Sequence, residues 1–255
     1  MATPQTHVPG ATAPQAPQLG RVLRAEYWLL LRSVCTRGRL IAIGALAMLS
    51  VLTALIVRLG NEHDGVRAGV DYVNTNVATL IPVAVLVFGA ATIGDLIDDG
   101  SLVYLWLRPI PTWVHVVAAW AATVTVVVPL VLVPVVASTA MIDTSASLLG
   151  AAVLGGLVAT AAYSGIFVML GVRFRRALPW GLVYILIWEG FIASAGKTAT
   201  KLAVRSYVRS ILTSMTGVEL KLGNYALWVG ITVPLLAGAV ALLYASRRLA
   251  KTDVA

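Results

Sequence analysis

Long uncharged runs are the feature that most constrains how this chain can fold. A helix needs about 20 mostly apolar residues to cross the hydrocarbon layer of a membrane. The chain has five uncharged runs of 18, 23, 34, 29 and 25 residues, bounded by Arg39 and Arg58, Asp71 and Asp95, Arg108 and Asp143, Asp143 and Arg173, and Lys221 and Arg247. A sixth stretch, from Ala177 to Gly196, is interrupted only by Glu189. These runs predict six membrane-spanning helices.

The composition indicates an integral membrane protein. Hydrophobic residues make up 59% of the chain and charged residues 12%, whereas soluble domains have about 45–50% and about 25%. This balance excludes a disordered chain, a disulfide scaffold and an ordinary cytosolic enzyme. Strand alternation is absent, and the runs are far longer than barrel strands. The predicted fold class is all-α: residues 19–255 form one polytopic membrane domain with six transmembrane helices at about 40–59, 77–97, 113–137, 146–171, 178–196 and 225–245.

Basic residues orient the predicted bundle. Six spans place both termini on the same side, and cytoplasmic termini put 12 Lys and Arg residues inside and 7 outside. The positive-inside rule therefore favours cytoplasmic termini, although the basic cluster from Lys197 to Lys221 counts against this orientation. Arg outnumbers Lys 15 to 4, which indicates a GC-rich bacterial source. The expected location is therefore the bacterial inner (plasma) membrane.

The N-terminal region divides into a tail and an amphipathic helix. Residues 1–18 are rich in Pro, Ala and Thr and carry no charge, which predicts a disordered tail. From Leu19 to Thr36, helical spacing puts apolar side chains on one face, and this predicts a helix lying in the inner membrane interface. The residues assigned to that interface are Arg21, Arg24, Tyr27 and Trp28. Such a helix either only anchors the chain or also contacts a cytoplasmic partner.

The loop between the second and third predicted spans has unusual chemistry. Asp95, Asp98 and Asp99 cluster within five residues, and Gly100 permits a turn directly after them. Ser101 can cap a short helix at Leu102–Leu107, which Pro109 and Pro111 then stop. The loop is either a solvated, capped turn or a short rigid helix that another protein grips.

The same loop resembles the signature of the ABC-2 type transporter permeases. Asp99-Gly100-Ser101-Leu102, followed by Leu105 to Leu107 and Arg108-Pro109-Ile110, is similar to their acid-x-G-T-L-x-x-L-x-x-R-P-[IV]-[ST] motif. The run from Tyr184 to Phe191 resembles the Y-[IV]-L-x-W-E-G-[LF] stretch of these proteins. The resemblance covers nearly the whole chain from Leu19. Pro111-Thr112-Trp113 departs from the family, which commonly has Ser-Arg or a similar pair there.

The resemblance implies a transport subunit that works with a separate ATPase. In this family two permease subunits, identical or homologous, pair with two cytoplasmic ATPase subunits, and a short coupling helix between spans two and three seats in the ATPase. Carried over to this chain, the coupling residues are Asp98, Asp99, Gly100, Ser101, Leu102, Tyr104, Arg108 and Pro109. The chain has no G-x-x-x-x-G-K-[ST] motif. ATP and Mg²⁺ would therefore be bound by the partner, and this chain would bind no cofactor and perform no catalysis.

The expected activity is export of a hydrophobic or amphipathic substrate, such as a drug, a peptide or a lipid-like molecule, by alternating access. The alternative is an ATPase-independent secondary carrier or a membrane scaffold subunit. Because an ionisable residue inside a span is costly, Glu189 is a candidate for the pathway or its gating, together with Trp188 and Tyr184. Glu189 either has a structural or gating role or contacts the substrate.

The segment at 197–222 predicts one or two amphipathic helices at the outer surface. Val204, Val208, Ile211 and Met215 share one face, and Arg205 and Arg209 lie on the other. These Arg side chains either are simply solvated or engage anionic lipid or substrate. In the fourth span, Gly155 and Ala159 form a small-xxx-small pair, which serves packing within the chain or between two copies.

The remaining candidate residues exclude other kinds of site. Cys35 is the only cysteine, and His7, His63 and His115 are scattered without metal-ligand spacing. No metal site is therefore expected. The positive charge lies mostly at predicted membrane borders, so no nucleic-acid partner is expected, and membrane lipid is.

Overall fold

A computed structural model describes residues 19–60, 64–100, 110–191, 200–220 and 225–251. These residues form helices and connecting turns, and none of them lies in a β-strand. The helices are α1 (Leu19–Val34), α2 (Arg37–Gly60), α3 (Gly65–Ala78), α4 (Leu80–Asp98), α5 (Thr112–Val127), α6 (Val133–Ile142), α7 (Ala146–Arg173), α8 (Ala177–Val183), α9 (Val204–Thr216) and α10 (Leu227–Lys251), with π-helical segments at Val128–Leu132 and Tyr184–Phe191. The all-α fold class is confirmed. The tail at 1–18 lies outside the described residues.

Five helices in the described ranges are long and apolar enough to cross a membrane. They are Arg37–Gly60, Gly65–Asp98, Thr112–Ile142, Ala146–Arg173 and Leu227–Lys251. The chain is a multi-pass membrane protein.

Two of these long helices contain a local break near proline. Pro82 has no N–H to donate to the carbonyl of Ala78, and α3 and α4 accordingly meet at Thr79, which has non-helical backbone angles. Pro129 likewise lies in the π-helical turn between α5 and α6. Each pair of short helices therefore forms one span with a bend.

The predicted span at 178–196 differs from the others. It corresponds to α8 and the π-helical segment Tyr184–Phe191, which together have 15 residues (7 + 8), and residues 192–196 lie outside the described ranges. The chain still passes from one end of the bundle to the other here. Gly171, near the end of α7, lies beside Gly94, whereas Val208 in α9 lies beside Gly155 near the start of α7.

Helix α7 lies at the centre of the bundle and packs against α10, α4 and α9. Its Tyr163 and Phe167 are fully buried with Phe88 of α4. A Cβ atom on Gly155 would lie 2.9 Å from Val208 of α9. The small-residue pair Gly155 and Ala159 therefore serves packing within the chain, which decides between the two alternatives.

A close backbone approach joins α7 to α10. A Cβ atom on Gly165 would lie 2.5 Å from the carbonyl oxygen of Gly238. Because nothing larger than hydrogen fits between these backbones, both helices come into direct contact there.

Helix α1 packs against α5 and touches α4. Its apolar face is only partly the predicted one: Leu30 and Val34 are fully buried, whereas Leu19 is 53% exposed. Arg21, Arg24 and Trp28 are exposed and Tyr27 is half-buried.

We call the end of the bundle that carries α1 the α1 end. The other end, where α2 stops and α3 begins, is called the opposite end. Leu249 of α10 packs with Leu30, so both Leu19 and Lys251 belong to helices that reach the α1 end.

Candidate functional site

The predicted coupling loop begins at the α1 end. Helix α4 ends at Asp98, and Asp99 and Gly100 form an exposed turn in which Gly100 has φ +69°. Glycine adopts this left-handed conformation without steric cost. The other predicted coupling residues, Ser101, Leu102, Tyr104, Arg108 and Pro109, lie outside the described residues. The chain is described again from Ile110, and α5 begins at Thr112.

An ion pair joins α2 to α4 just before this turn. Arg39 Nη2 donates to Asp95 Oδ2 at 2.7 Å, and both side chains are partly exposed. A charge-assisted hydrogen bond of this length is stronger than one between neutral groups. The sequence singled out Asp95 only as part of an acidic cluster, and its partner, far away in sequence, carried no local signal.

A buried acid–imidazole pair joins α1 to α5 on the other side of the loop. Glu26 Oε2 lies 3.3 Å from His115 Nδ1, and the two side chains are 7% and 5% exposed. Neither atom has a hydrogen-bond partner, so the two buried polar groups lie in contact without a hydrogen bond. Thr112, in the first turn of α5, donates its hydroxyl to the carbonyl of Ser246 in α10 at 3.1 Å. Sequence reasoning treated His115 as an isolated histidine and missed Glu26.

Both flanks of segment 101–109 are therefore tied to other helices. Asp95 connects the end of α4 to α2, and His115 and Thr112 connect the start of α5 to α1 and α10. We call these three residues, with Arg39 and Glu26, the collar of the α1 end.

Glu189 caps a helix at the opposite end. Its side chain is buried, and Oε1 accepts the backbone N–H of Val204 at 3.0 Å and the hydroxyl of Tyr184 at 3.1 Å. Oε2 accepts the N–H of Arg205 at 3.3 Å. A carboxylate at a helix N-terminus satisfies amide groups that have no partner inside the helix, and it also interacts favourably with the helix dipole. The carboxylate thereby fastens the π-helical segment to the start of α9.

The neighbours of Glu189 extend this connection. Trp188 donates its indole N–H to the carbonyl of Leu202 at 3.5 Å. Tyr184 packs edge-on against Phe167, which stacks on Tyr163, with ring centroids 6.0 and 5.8 Å apart. The three residues predicted for the pathway or gating therefore lie together, between the central helix α7 and the N-terminus of α9. Their transport role stays a prediction.

Helix α9 has the predicted apolar face, but its arginines are not simply solvated. Val204, Val208 and Ile211 are buried against the bundle. Arg209 Nε donates to Asn74 Oδ1 of α3 at 3.0 Å. Burial, with the nearby charge of Arg205, lowers the pKa of the Arg209 guanidinium to about 10, so it remains charged at neutral pH. Of the two alternatives for these arginines, simple solvation does not describe Arg209, and contact with anionic lipid or substrate stays a prediction.

A cleft of about 700 Å³ lies between α2 and α3. Its apolar lining includes Leu46, Leu49 and Val83, and its floor is a hydrogen-bonded set of Ser50, Tyr72 and Asn76. We call these three residues the polar floor.

The polar floor is internally connected. Ser50 Oγ donates to Asn76 Oδ1 at 2.5 Å and lies 2.8 Å from the Tyr72 hydroxyl, and Asn76 Nδ2 donates to the Tyr72 carbonyl at 3.0 Å. All three side chains are buried, yet they line the cleft. The sequence did not predict this cleft, because it depends on which faces of α2 and α3 meet.

In comparisons with known proteins, no protein-family model matches the chain, and no curated protein matches it. Within the described ranges, no group of three or more His, Cys, Asp or Glu side chains is placed to hold a metal ion.

Proposed function

We propose that this chain is the permease subunit of an ABC transporter of the ABC-2 type. It would export a hydrophobic or amphipathic substrate by alternating access, driven by a separate ATPase. The resemblance of the loop at 99–110 and of the stretch at 184–191 to this family supports the proposal. The structural observation that carries it is the collar of the α1 end, because a coupling element must be mechanically connected to the spans that it moves.

The collar supplies such a connection on both sides of segment 101–109. A force applied to this segment acts on the end of α4 and the start of α5. From α4 it reaches α2 through Asp95 and Arg39, and from α5 it reaches α1 through His115 and Glu26. Displacement of one short segment would thus move several helices together, which is what switching between two orientations of a permease requires.

The partners follow from this assignment. Two copies of a cytoplasmic ATPase would bind ATP and Mg²⁺, and a second permease subunit, identical or homologous, would complete the translocation path. The α1 end and both termini would face the cytoplasm of a bacterial cell, in its plasma membrane. Glu189, Tyr184 and Trp188 would then lie toward the outer side, where fastening of α9 influences how the path opens.

Cysteine crosslinking tests the coupling assignment. In a Cys35→Ser background, Ser101→Cys should crosslink to a co-purifying ATPase, whereas Arg175→Cys, in the turn between α7 and α8, is the matched control. Crosslinking at Arg175→Cys with none at Ser101→Cys would show that another loop contacts the ATPase.

Transport measurements test the energy source. Export from cells or vesicles should stop on ATP depletion or removal of the ATPase, and an uncoupler should leave it unchanged while ATP is maintained. Transport that persists without ATP and falls with the uncoupler would establish a secondary carrier and contradict the proposal.

A further inference from the structure

We propose that the cleft between α2 and α3 is a binding site for a zwitterionic phospholipid of the membrane leaflet at the opposite end of the bundle. The site does not depend on the transport function proposed above, because a lipid can occupy the cleft whether or not this chain works with an ATPase. Four features of the cleft support the inference: its position across the membrane, its volume, the residues that line it and the charges at its mouth.

The position of the cleft across the membrane suits a lipid. Its mouth lies at the headgroup layer, where a lipid headgroup sits, and the rest of the cleft extends toward the hydrocarbon. The bent helix Gly65–Asp98 has 34 residues, which gives a length of about 51 Å, whereas the hydrocarbon layer is about 30 Å thick. The excess places one or both helix ends in the headgroup layers. The first two turns of α3, which form the mouth of the cleft, lie at such an end.

The size and lining suit an acyl chain. The volume of about 700 Å³ lies in the middle of the range of ligand pockets, about 300–1,000 Å³. Leu46, Leu49 and Val83 supply apolar surface. Thr53, Thr75 and Thr79 line the cleft and are exposed, so it is open to its surroundings. Their hydroxyls donate to carbonyls of their own helices and present methyl groups to a guest.

The polar floor can hold the ester region of a lipid. Asn76 donates to the Tyr72 carbonyl through one amide hydrogen, and its side chain has a second hydrogen to donate. The Ser50 hydroxyl donates to Asn76 Oδ1, and the Tyr72 hydroxyl, which also contacts Ser50 Oγ, donates to the Ser50 carbonyl. A carbonyl ester lying against Asn76 would therefore find a donor, and no buried group would lose its present partner.

The mouth of the cleft carries both signs of charge. Arg67, Asp64 and Asp71 are exposed there. The Asp64 carboxylate accepts the backbone N–H of Arg67 at 3.0 Å. Neither the Arg67 guanidinium nor the Asp71 carboxylate forms an ion pair within the part of the chain that the structure describes. A guanidinium binds phosphate and a carboxylate binds an ammonium group, and a zwitterionic headgroup supplies both.

Photocrosslinking tests the site without any ATPase, so its failure leaves the proposed permease function unaffected. The full chain is reconstituted in vesicles containing phosphatidylcholine with a photoactivatable group on the acyl chain, and labelled peptides are mapped by mass spectrometry. Labelling should concentrate on 46–57 and 68–83. Unlabelled phosphatidylcholine should compete at least five times more effectively than unlabelled phosphatidylglycerol. Equal competition would show an unselective lipid boundary and overturn the proposal.

Two kinds of variant locate the ligand. Thr53→Trp fills the cleft and should reduce labelling at least fivefold, whereas Leu55→Trp, at an exposed α2 position that does not line the cleft, should leave it within twofold. Arg67→Gln and Asp71→Asn change only exposed side chains, and each should abolish the preference for phosphatidylcholine. Unchanged labelling in Thr53→Trp, or efficient disulfide dimers of Thr53→Cys that show a second copy filling the cleft, would overturn the proposal.

Discussion

Glu189 Oε1 accepts the backbone N–H of Val204 at 3.0 Å, so a carboxylate from one helical segment caps the first turn of another. The cap comes from a residue outside α9 and ties two segments that the chain itself joins only through residues 192–203. The start of α9 is therefore held in place in part by one buried side chain.

Replacing Glu189 should release the start of α9. Glu189→Ala leaves two amides and the Tyr184 hydroxyl without their acceptor, which should destabilise the protein by about 1–3 kcal/mol. Glu189→Gln keeps one acceptor oxygen and should cost less. Thermal unfolding in detergent measures the loss, and trypsin cleavage at Lys201 reports exposure of the segment. Glu219→Ala removes an exposed acid beyond the same helix and should change neither; equal behaviour of all three variants would contradict the capping role.

The Arg39–Asp95 pair should matter more for coupling than for stability. Because both side chains are partly exposed, the pair is worth about 0.2–1 kcal/mol. Arg39→Gln and Asp95→Asn should therefore unfold at nearly the temperature of the unmodified protein. If the collar transmits force, each should lower substrate-stimulated ATP hydrolysis of the assembled transporter. The reversed pair, Arg39→Asp with Asp95→Arg, should recover part of that activity, and the absence of any recovery would show that the contact itself is not required.

Glu26 and His115 should show strong non-additivity. Removing one partner leaves the other buried without it, so Glu26→Leu and His115→Leu should each cost about 1–3 kcal/mol. Replacing both with Leu removes both polar groups, and the double variant should be clearly more stable than the sum of the single losses predicts. Denaturation in detergent measures the three variants, with the exposed Arg24→Leu as the control on α1. Additive losses would mean that the two residues do not interact.

The backbone contact between α7 and α10 should tolerate no side chain. Gly165→Ala places a methyl group 2.5 Å from the Gly238 carbonyl oxygen, and overpacking of this kind costs about 1–3 kcal/mol. Gly44→Ala in α2 is the matched control because nothing lies within 4 Å of its new Cβ atom. Alanine favours helix there, so this variant should be unchanged or slightly more stable. Thermal unfolding of the two variants compares them directly, and equal melting temperatures would contradict the close approach.

Five of the six predicted spans could be recognised from the sequence, because a helix in hydrocarbon needs apolar residues along its own length. Every turn of a helix in lipid must be apolar, so uncharged runs locate such helices without knowledge of their neighbours. The start of α3 was not predictable in this way. Its helix begins at Gly65, twelve residues before the predicted span at 77–97, because a helix continues beyond the membrane, where hydropathy carries no signal.

The contacts of the candidate sites depend on which helices are adjacent. Glu26 and His115, or Arg39 and Asp95, are far apart in sequence, and neither partner indicates the other. Glu189 was recognised because an acid in an apolar stretch is rare, but the sequence did not reveal that α9 receives its carboxylate. The cleft likewise arises only when α2 and α3 pack with their Ser, Tyr and Asn side chains facing each other.

The contact of Gly165 with Gly238 has a further consequence for motion. Where two backbones touch, no layer of side chains is available to change rotamer and let one helix slide along the other. Sliding of α7 along α10 is therefore hindered at this contact. Helix α2 has no such contact at its glycines, because nothing lies within 4 Å of a Cβ atom placed on Gly38, Gly44 or Gly60. Sliding against a neighbour is accordingly less restricted for α2 at these positions than for α7 and α10 where they touch.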